Sequence, residues 1–394
     1  MIQNTKPIYA ALVLLAVALG ARAQVTYTYN GSSWSDGTST VAAPVLASGN
    51  SVVVHSGSVT CGVLEVSDAL TSTAGVAYTA NFAQSFKPMN GGSISAVSLY
   101  TLGTGFEGLS FVLKLYAGLP GSGTLKHSEP FVTVGTEEQR VMLSSPLLVS
   151  GQSNYYLVVE DHSGVSPASF RWRRTSNNAY PDGALYMNSG ATSQDIWFKL
   201  RYDHSLGNLT VSQGATLTMD FCDLNVSGSL LVDGALVLNA EFGDYSQLKV
   251  MGNVTGTGTV TQKQFLTGEG YHALASSMTA GFAVTSGNAS ALFGYNASTG
   301  AYFTSPSLTA VGQGYFGKLG ANGFLASDGV FSVTGMPNTS ATFTLGYAAN
   351  VAAGGSGSGW NLIGNPYPCG LDWNSVAKTH VNNAIYVWDP ASTS

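Results

Sequence analysis

The sequence predicts an all-β protein: a short β-solenoid, interrupted by a jelly-roll β-sandwich and followed by a second β-sandwich. Three observations carry that expectation. Charged residues make up only 9% of the chain, against about a quarter in an average soluble domain, which leaves little of the Glu and Lys that long exposed helices use. Gly, Ser and Thr together fill 130 of the 394 positions, a composition suited to short strands and many turns. The apolar residues alternate with polar ones in short runs instead of recurring at helical spacing. At 44% hydrophobic and 11% aromatic, the chain can still build sizeable cores, which a disordered chain cannot. The balance of 15 Lys and Arg against 21 Asp and Glu excludes the basic surface that grips nucleic acid.

Residues 1–23 read as a secretory signal peptide. Lys6 precedes an apolar run from Ile8 to Leu19, and Ala21-Arg22-Ala23 supplies an A-x-A cleavage site. That run is about 12 residues, short of the roughly 20 needed to cross a bilayer. No Cys follows it to carry a lipid, and no later segment is long and apolar enough to span, so no membrane span is expected once the signal is removed. Residues 24–74 open the solenoid, with 51–66 reading SVVVHSGSVTCGVLEV. The same texture returns over 204–265, in pairs such as Leu209/Val211, Leu217/Met219, Leu224/Val226 and Leu236/Leu238, cut by Gly-, Ser- or Asp-containing turns. Strands this short and closely spaced suit stacked coils, each burying its apolar face against the next; an ordinary meander sandwich is the alternative.

Between these stretches, residues 75–203 carry longer strands: Phe111–Tyr116, Val141–Leu143, Tyr155–Glu160, Phe170–Arg173 and Ile196–Leu200. They predict an antiparallel sandwich of jelly-roll size, inserted at a turn of the solenoid near its start. Residues 266–394 form a third, all-β region, in which Gly270–Ser277 and Gly359–Pro366 share one strand-and-turn pattern and Ala341–Leu345 alternates. Only Leu371–Val376 has the look of a helical turn. The three cysteines, Cys61, Cys222 and Cys369, are too few for a disulfide-built scaffold. They read as buried thiols, or as one pair with a third left over.

The series SSWSDGT, VTQKQF, GYHALASS, GQGYF, GWNLIGNPYP, LDW and NNAIYVWDP resembles a family of secreted surface proteins of Gram-negative bacteria that use type IX secretion. The resemblance covers about residues 29–66 and 205–390, and GWNLIGNPYP with the DW and IYVWD that follow is its most specific part. Residues 75–203 resemble the jelly-roll modules inserted in many such proteins, through QSF, LKLY, YYLVVE and YPDGALYMN. The resemblance implies a secreted protein, extracellular or held on the outer cell surface. Members usually end in a sorting domain; this sequence ends at Ser394 without one, so the expectation is a truncated chain or a third domain that ends early.

No enzyme is expected. Polysaccharide cleavage by a solenoid needs clustered acids and a base. Residues 205–265 offer Asp220, Asp223, Asp233, Glu241 and Asp244, but only Lys249 and Lys263 as bases and no Arg. Turn chemistry already explains Asp in such positions. No G-x-S-x-G, H-E-x-x-H or Walker-type loop is present. No cofactor is expected beyond a structural calcium ion, which jelly-roll modules of this kind often hold. The adjacent acids Glu160 and Asp161 are its candidate ligands, although the ion takes about six to eight oxygens.

The better binding candidate is a sugar site on the insert, because sugars are held by aromatic faces together with planar hydrogen-bonding groups. Arg171, Arg173, Tyr186, Asp195 and Trp197 are its candidate residues, with Trp172 and Tyr180 nearby. Alternation places Phe170 and Trp172 on one face, the core side, and Arg171 and Arg173 on the other. Core packing is the competing explanation for these aromatics. The expected function is therefore a non-catalytic structural or adhesion protein whose partners are surface glycans or other surface proteins, with lectin-like binding through the insert as the alternative.

Overall fold

The computed structural model describes residues 26–35, 39–41, 51–62, 64–66, 75–77, 82–88, 92–103, 107–135, 137–150, 153–161, 171–175, 180, 182–187, 190–192, 194–241, 244–279, 282–283, 289–305, 307–308, 310–325, 329–346, 359–381 and 383–387. The signal-peptide segment lies outside them, as do Phe170 and the side chain of Asp161. The protein is all-β. Among the described residues the only helical pieces are the 3-10 turns Ala289–Ala291 and Trp373–Ser375, and no helix is long and apolar enough to cross a membrane.

The expected solenoid is present, and its coils have three faces. On the first, Thr26–Asn30, Ser51–Ser56, Leu209–Val211, Leu230–Val232 and Val254–Thr255 stack in parallel. The second stacks Ser58–Gly62, Thr216–Asp220, Ala235–Leu238 and Thr259–Leu266. The third stacks Phe198–Leu206, Asp223–Val226 and Gln247–Val250. Inward positions are aliphatic, and Leu209, Val211, Leu217, Met219, Leu224 and Val226 are all buried. Burying one such side chain is worth about 1.5–3 kcal/mol, so each coil is stabilised chiefly by the next.

Polar turn residues stitch coil to coil. Asp233 Oδ1 accepts from the Thr257 N–H at 3.0 Å, and Asn208 Oδ1 accepts from the Ser229 N–H at 2.8 Å. At one corner Gly207, Gly228 and Gly252 lie directly above one another. The Gly252 N–H donates to the Gly228 carbonyl at 3.0 Å, and a Cβ on Gly252 would come within 2.5 Å of that oxygen. Cys222 is a buried thiol of this core, and the backbone of Cys61 pairs with Met219 on the second face.

The insert leaves and rejoins the solenoid on the third face. Leu64–Val66 runs antiparallel to the first residues of Phe198–Leu206, and the end of that returning strand, Asp203–Leu206, pairs in parallel with Asp223–Val226. Its other edge is occupied by Gly92–Leu102. One sheet therefore runs without a break from insert to solenoid, and position 203/204 falls inside a strand. The insert's second sheet has the order Thr124–Val132, Ser110–Ala117, Tyr155–Asp161, Phe82–Phe86, Leu185–Met187, Gly190–Ala191. Between the two sheets lies an aromatic core that includes Phe86, Phe111, Trp172 and Phe198.

The C-terminal region closes the solenoid. Its Gly329–Gly335 strand pairs antiparallel with Thr259–Leu266 of the last coil, and Leu274, Leu292, Leu319 and Phe324 share one core with Leu238 and Val260. The region is less regular than its sequence pattern predicts. Gly270–Leu274 is a strand, but the matching Gly359–Pro366 contributes only a single bridge, Ile363 to Gln313. Pro366 and Pro368 lack the N–H a ladder needs. Ala341–Leu345 runs outside any strand. The expected helical turn is observed as Trp373–Ser375, capped by the Asp372 side chain.

Candidate functional site

The insert's candidate residues do not form one surface. Trp172 is fully buried, its ring edge-on to Phe111 at 5.1 Å. Arg173, expected to point outward, is buried as well. The segment Asp195–Trp197 runs past its strand, with the Trp197 N–H donating to the Arg173 carbonyl at 3.0 Å. That lays the Trp197 ring 4.8 Å from the Arg173 guanidinium, and Trp197 itself is 4% exposed. Arg173 also reaches the exposed Glu137 carboxylate at 3.2 Å. Arg171, half-buried, shares its side of the strand.

Asp195 is fully buried. Its carboxylate accepts from Gln84 Nε2 at 2.9 Å and from the Tyr180 N–H at 3.0 Å. Arg173, Asp195 and Trp197 thus hold three segments of the insert together. Tyr186 is different. It lies on the outer face of the second sheet, half-buried, its ring 5.7 Å from that of Tyr156, and Tyr156 pairs in register with Tyr116. Sequence reasoning missed Tyr116 and Tyr156. Strand alternation places both on the face opposite Leu115 and Leu157, where Tyr116 is half-buried and Tyr156 is buried.

At the calcium candidate, Glu160 is engaged by Lys114 Nζ at 2.7 Å, and the hydrogen bond to Glu160 raises the Lys114 pKa above its ordinary value. Among the described residues no group of three His, Cys, Asp or Glu side chains assembles.

A second convergence of titratable groups lies on the third solenoid face. Asp203, Asp223 and Gln247 form one row across parallel strands, and Ser205, Asn225 and Lys249 form the next. Arg201 Nη2 reaches Asp223 at 3.1 Å and the Tyr245 carbonyl at 2.7 Å. Burial pushes the Asp203 carboxyl up, a hydrogen bond from Ser95 opposes that, and the Asp223 charge adds to it. On the inner side of the same strand, His204 and Tyr202 are stacked 6.5 Å apart. Neither imidazole nitrogen nor the Tyr202 hydroxyl has a hydrogen-bond partner among the described residues. Burial lowers the His204 pKa to about 4.

Arg201 and Asp203 fall in the segment that reads as the insert and Asp223 in the segment that reads as solenoid, so the sequence alone does not show the row. The depressions beside it are shallow, about 160 and 180 Å3, and both are lined by Asn225 and Lys249. Ligand pockets are usually about 300–1,000 Å3.

No known protein family matches the chain, and no curated protein does. The functional reading therefore rests on the geometry and on the motif resemblance.

Proposed function

We propose that this is a non-catalytic, exported structural and adhesion protein of a Gram-negative bacterium, displayed on or released from the cell surface by type IX secretion. The observation that carries the reading is the fusion of its parts. One sheet runs from insert into solenoid through Phe198–Leu206, and one core runs from solenoid into the C-terminal region. Such fusion suits a rigid stalk that presents surfaces at a fixed spacing. The acids of the third face serve as ties, Asp223 to Arg201 and Gln247, Asp203 to Ser95.

The test uses the mature chain, residues 24–394, on immobilised cell-surface glycans and proteins and on soluble polysaccharides. Saturable adhesion with no release of new sugar ends is the expected result. Turnover of a polysaccharide that Asp203→Asn or Asp223→Asn abolishes would overturn it. The second reading, lectin-like binding through the insert, is favoured by the half-buried Tyr116 and Tyr186, which flank the buried Tyr156 on one outer sheet face. It predicts that Tyr186→Ala weakens glycan binding while leaving the fold intact.

A further inference from the structure

The C-terminal region contains a four-stranded antiparallel sheet in the order Gly270–Leu274, Tyr315–Leu319, Leu292–Asn296, Ala301–Thr304. Its inner face belongs to the core shared with the solenoid, through Leu274, Leu292 and Leu319. The outer face of such a sheet is ordinarily polar. Here it carries Tyr271, Phe293, Tyr295, Tyr302 and Phe316. The rings form a connected set: Tyr271 to Phe293 at 6.0 Å, Tyr295 to Tyr302 at 5.1 Å, Tyr302 to Phe316 at 6.2 Å, with Phe293 and Phe316 directly opposite in register. Tyr302 is 62% exposed and Tyr271 45%.

Burial does not explain this placement. The inner face holds the buried Tyr315, and at Gly317 it gives way to the Phe324 ring, which a Cβ there would meet at 2.4 Å. The inner side is thus filled, and five further rings are carried on the outside. Within its four strands the face carries one charged residue, and the exposed Glu269 flanks the first strand beside Gly320. Lys318 lies opposite Tyr271 and has no ion-pair partner among the described residues. It is the one cation within this aromatic surface.

We propose that this face binds an acidic glycan, with the rings stacking on the C–H faces of successive sugars and Lys318 pairing with a sugar carboxylate. The electron-rich face of an aromatic ring attracts the positively polarised C–H bonds of a sugar. The unpaired ammonium is complementary to an anionic polymer and unfavourable for a purely apolar partner. Single-stranded nucleic acid also stacks on aromatic platforms, but it needs a cationic track along its backbone, and one lysine does not supply that. The site is separate from the insert and from the row on the third face, and it does not depend on either having a ligand.

Affinity electrophoresis and calorimetry of the mature chain with polygalacturonate, and with dextran as the neutral polymer, test the proposal. Polygalacturonate should bind saturably and more tightly than dextran, and added salt should weaken it. Tyr302→Ala should reduce polygalacturonate affinity about three- to tenfold, the worth of one aromatic contact. Lys318→Met should remove the preference for polygalacturonate over dextran, whereas Lys126→Met, which removes an equal charge from an exposed position of the insert, should change neither. Far-UV circular dichroism confirms the fold of each variant. Equal binding of the two polymers, no binding of polygalacturonate, or affinity unmoved in both Tyr302→Ala and Lys318→Met would overturn it. So would a dimer in sedimentation that Tyr302→Ala dissolves, which would assign the face to a second copy of the chain.

Discussion

The insert and the C-terminal sheet are both antiparallel and rich in Tyr, Phe and Trp, yet their rings end in opposite places. In the insert, two sheets face each other, and Trp172, Phe111 and Phe198 meet between them with at most 1% exposure. In the C-terminal region the four-stranded sheet lies against the end of the solenoid, whose aliphatic core takes up its Leu274, Leu292 and Leu319. Tyr315 there is in phase and buried, whereas Tyr271, Phe293, Tyr295, Tyr302 and Phe316 are one residue out of phase with the buried positions, and a one-residue shift in a strand moves a side chain to the other face. Aromatic content alone therefore does not distinguish a core from a binding surface. Phase against the buried residues does.

That contrast is broken or sharpened first by paired substitutions. Trp172→Ala should cost the insert about 3–5 kcal/mol, the usual price of emptying a buried aromatic site, seen as a large drop in the urea midpoint. Tyr302→Ala should move the midpoint by less than about 0.5 kcal/mol equivalent. Comparable losses from the two would show that the C-terminal rings are structural after all.

The seam between insert and solenoid gives the next largest effect. His204 is buried with its pKa lowered to about 4, while in the unfolded chain it titrates near about 6.5. The unfolded state therefore takes up a proton first as the pH falls. Stability is fully present above about pH 6.5 and is lost by about 3 kcal/mol as the pH falls to about 4. Burial lowers His272 too, in the same direction, whereas the raised Asp203 pKa acts oppositely in more acid solution. Urea midpoints at about pH 7.5 and 4.5 should show the loss, and His204→Leu should flatten it.

Asp195→Ala tests whether that residue ties or binds. It leaves Gln84 Nε2 and the Tyr180 N–H without their acceptor, a loss of about 2 kcal/mol, with no change in polygalacturonate affinity. The smallest effect belongs to the Lys114–Glu160 pair, which is partly exposed to solvent. Lys114→Met should change stability by about 0.5 kcal/mol or less, and added calcium should not restore it. A calcium-dependent rise in melting temperature that Glu160→Gln abolishes would instead make Glu160 a ligand.

Much of the scaffold was legible beforehand. Leu209/Val211, Leu217/Met219 and Leu224/Val226 alternate as inward positions must, and all six are buried. Asp233 sits where turn chemistry expects it and makes the bond to the next coil. The candidate sites were less legible. Alternation put Arg171 and Arg173 together on one side of a strand correctly, but the segment that covers that side, Asp195–Trp197, arrives from more than twenty positions further along. The row of Asp203, Asp223 and Gln247 depends on coil length, which sets residues far apart in the chain side by side.

The sequence by itself determined that this chain is all-β, where its coils turn, and which side chains within each strand share a face. These follow from local rules, namely the two-residue period of a strand and the turn preferences of Gly, Asp and Asn. Only the tertiary structure decided which of those faces is covered. A strand cannot specify what packs against its second side, because that neighbour is delivered by a distant segment: Trp197 over Arg173 in the insert, the solenoid end beneath the C-terminal sheet, and solvent over Tyr271 and Tyr302.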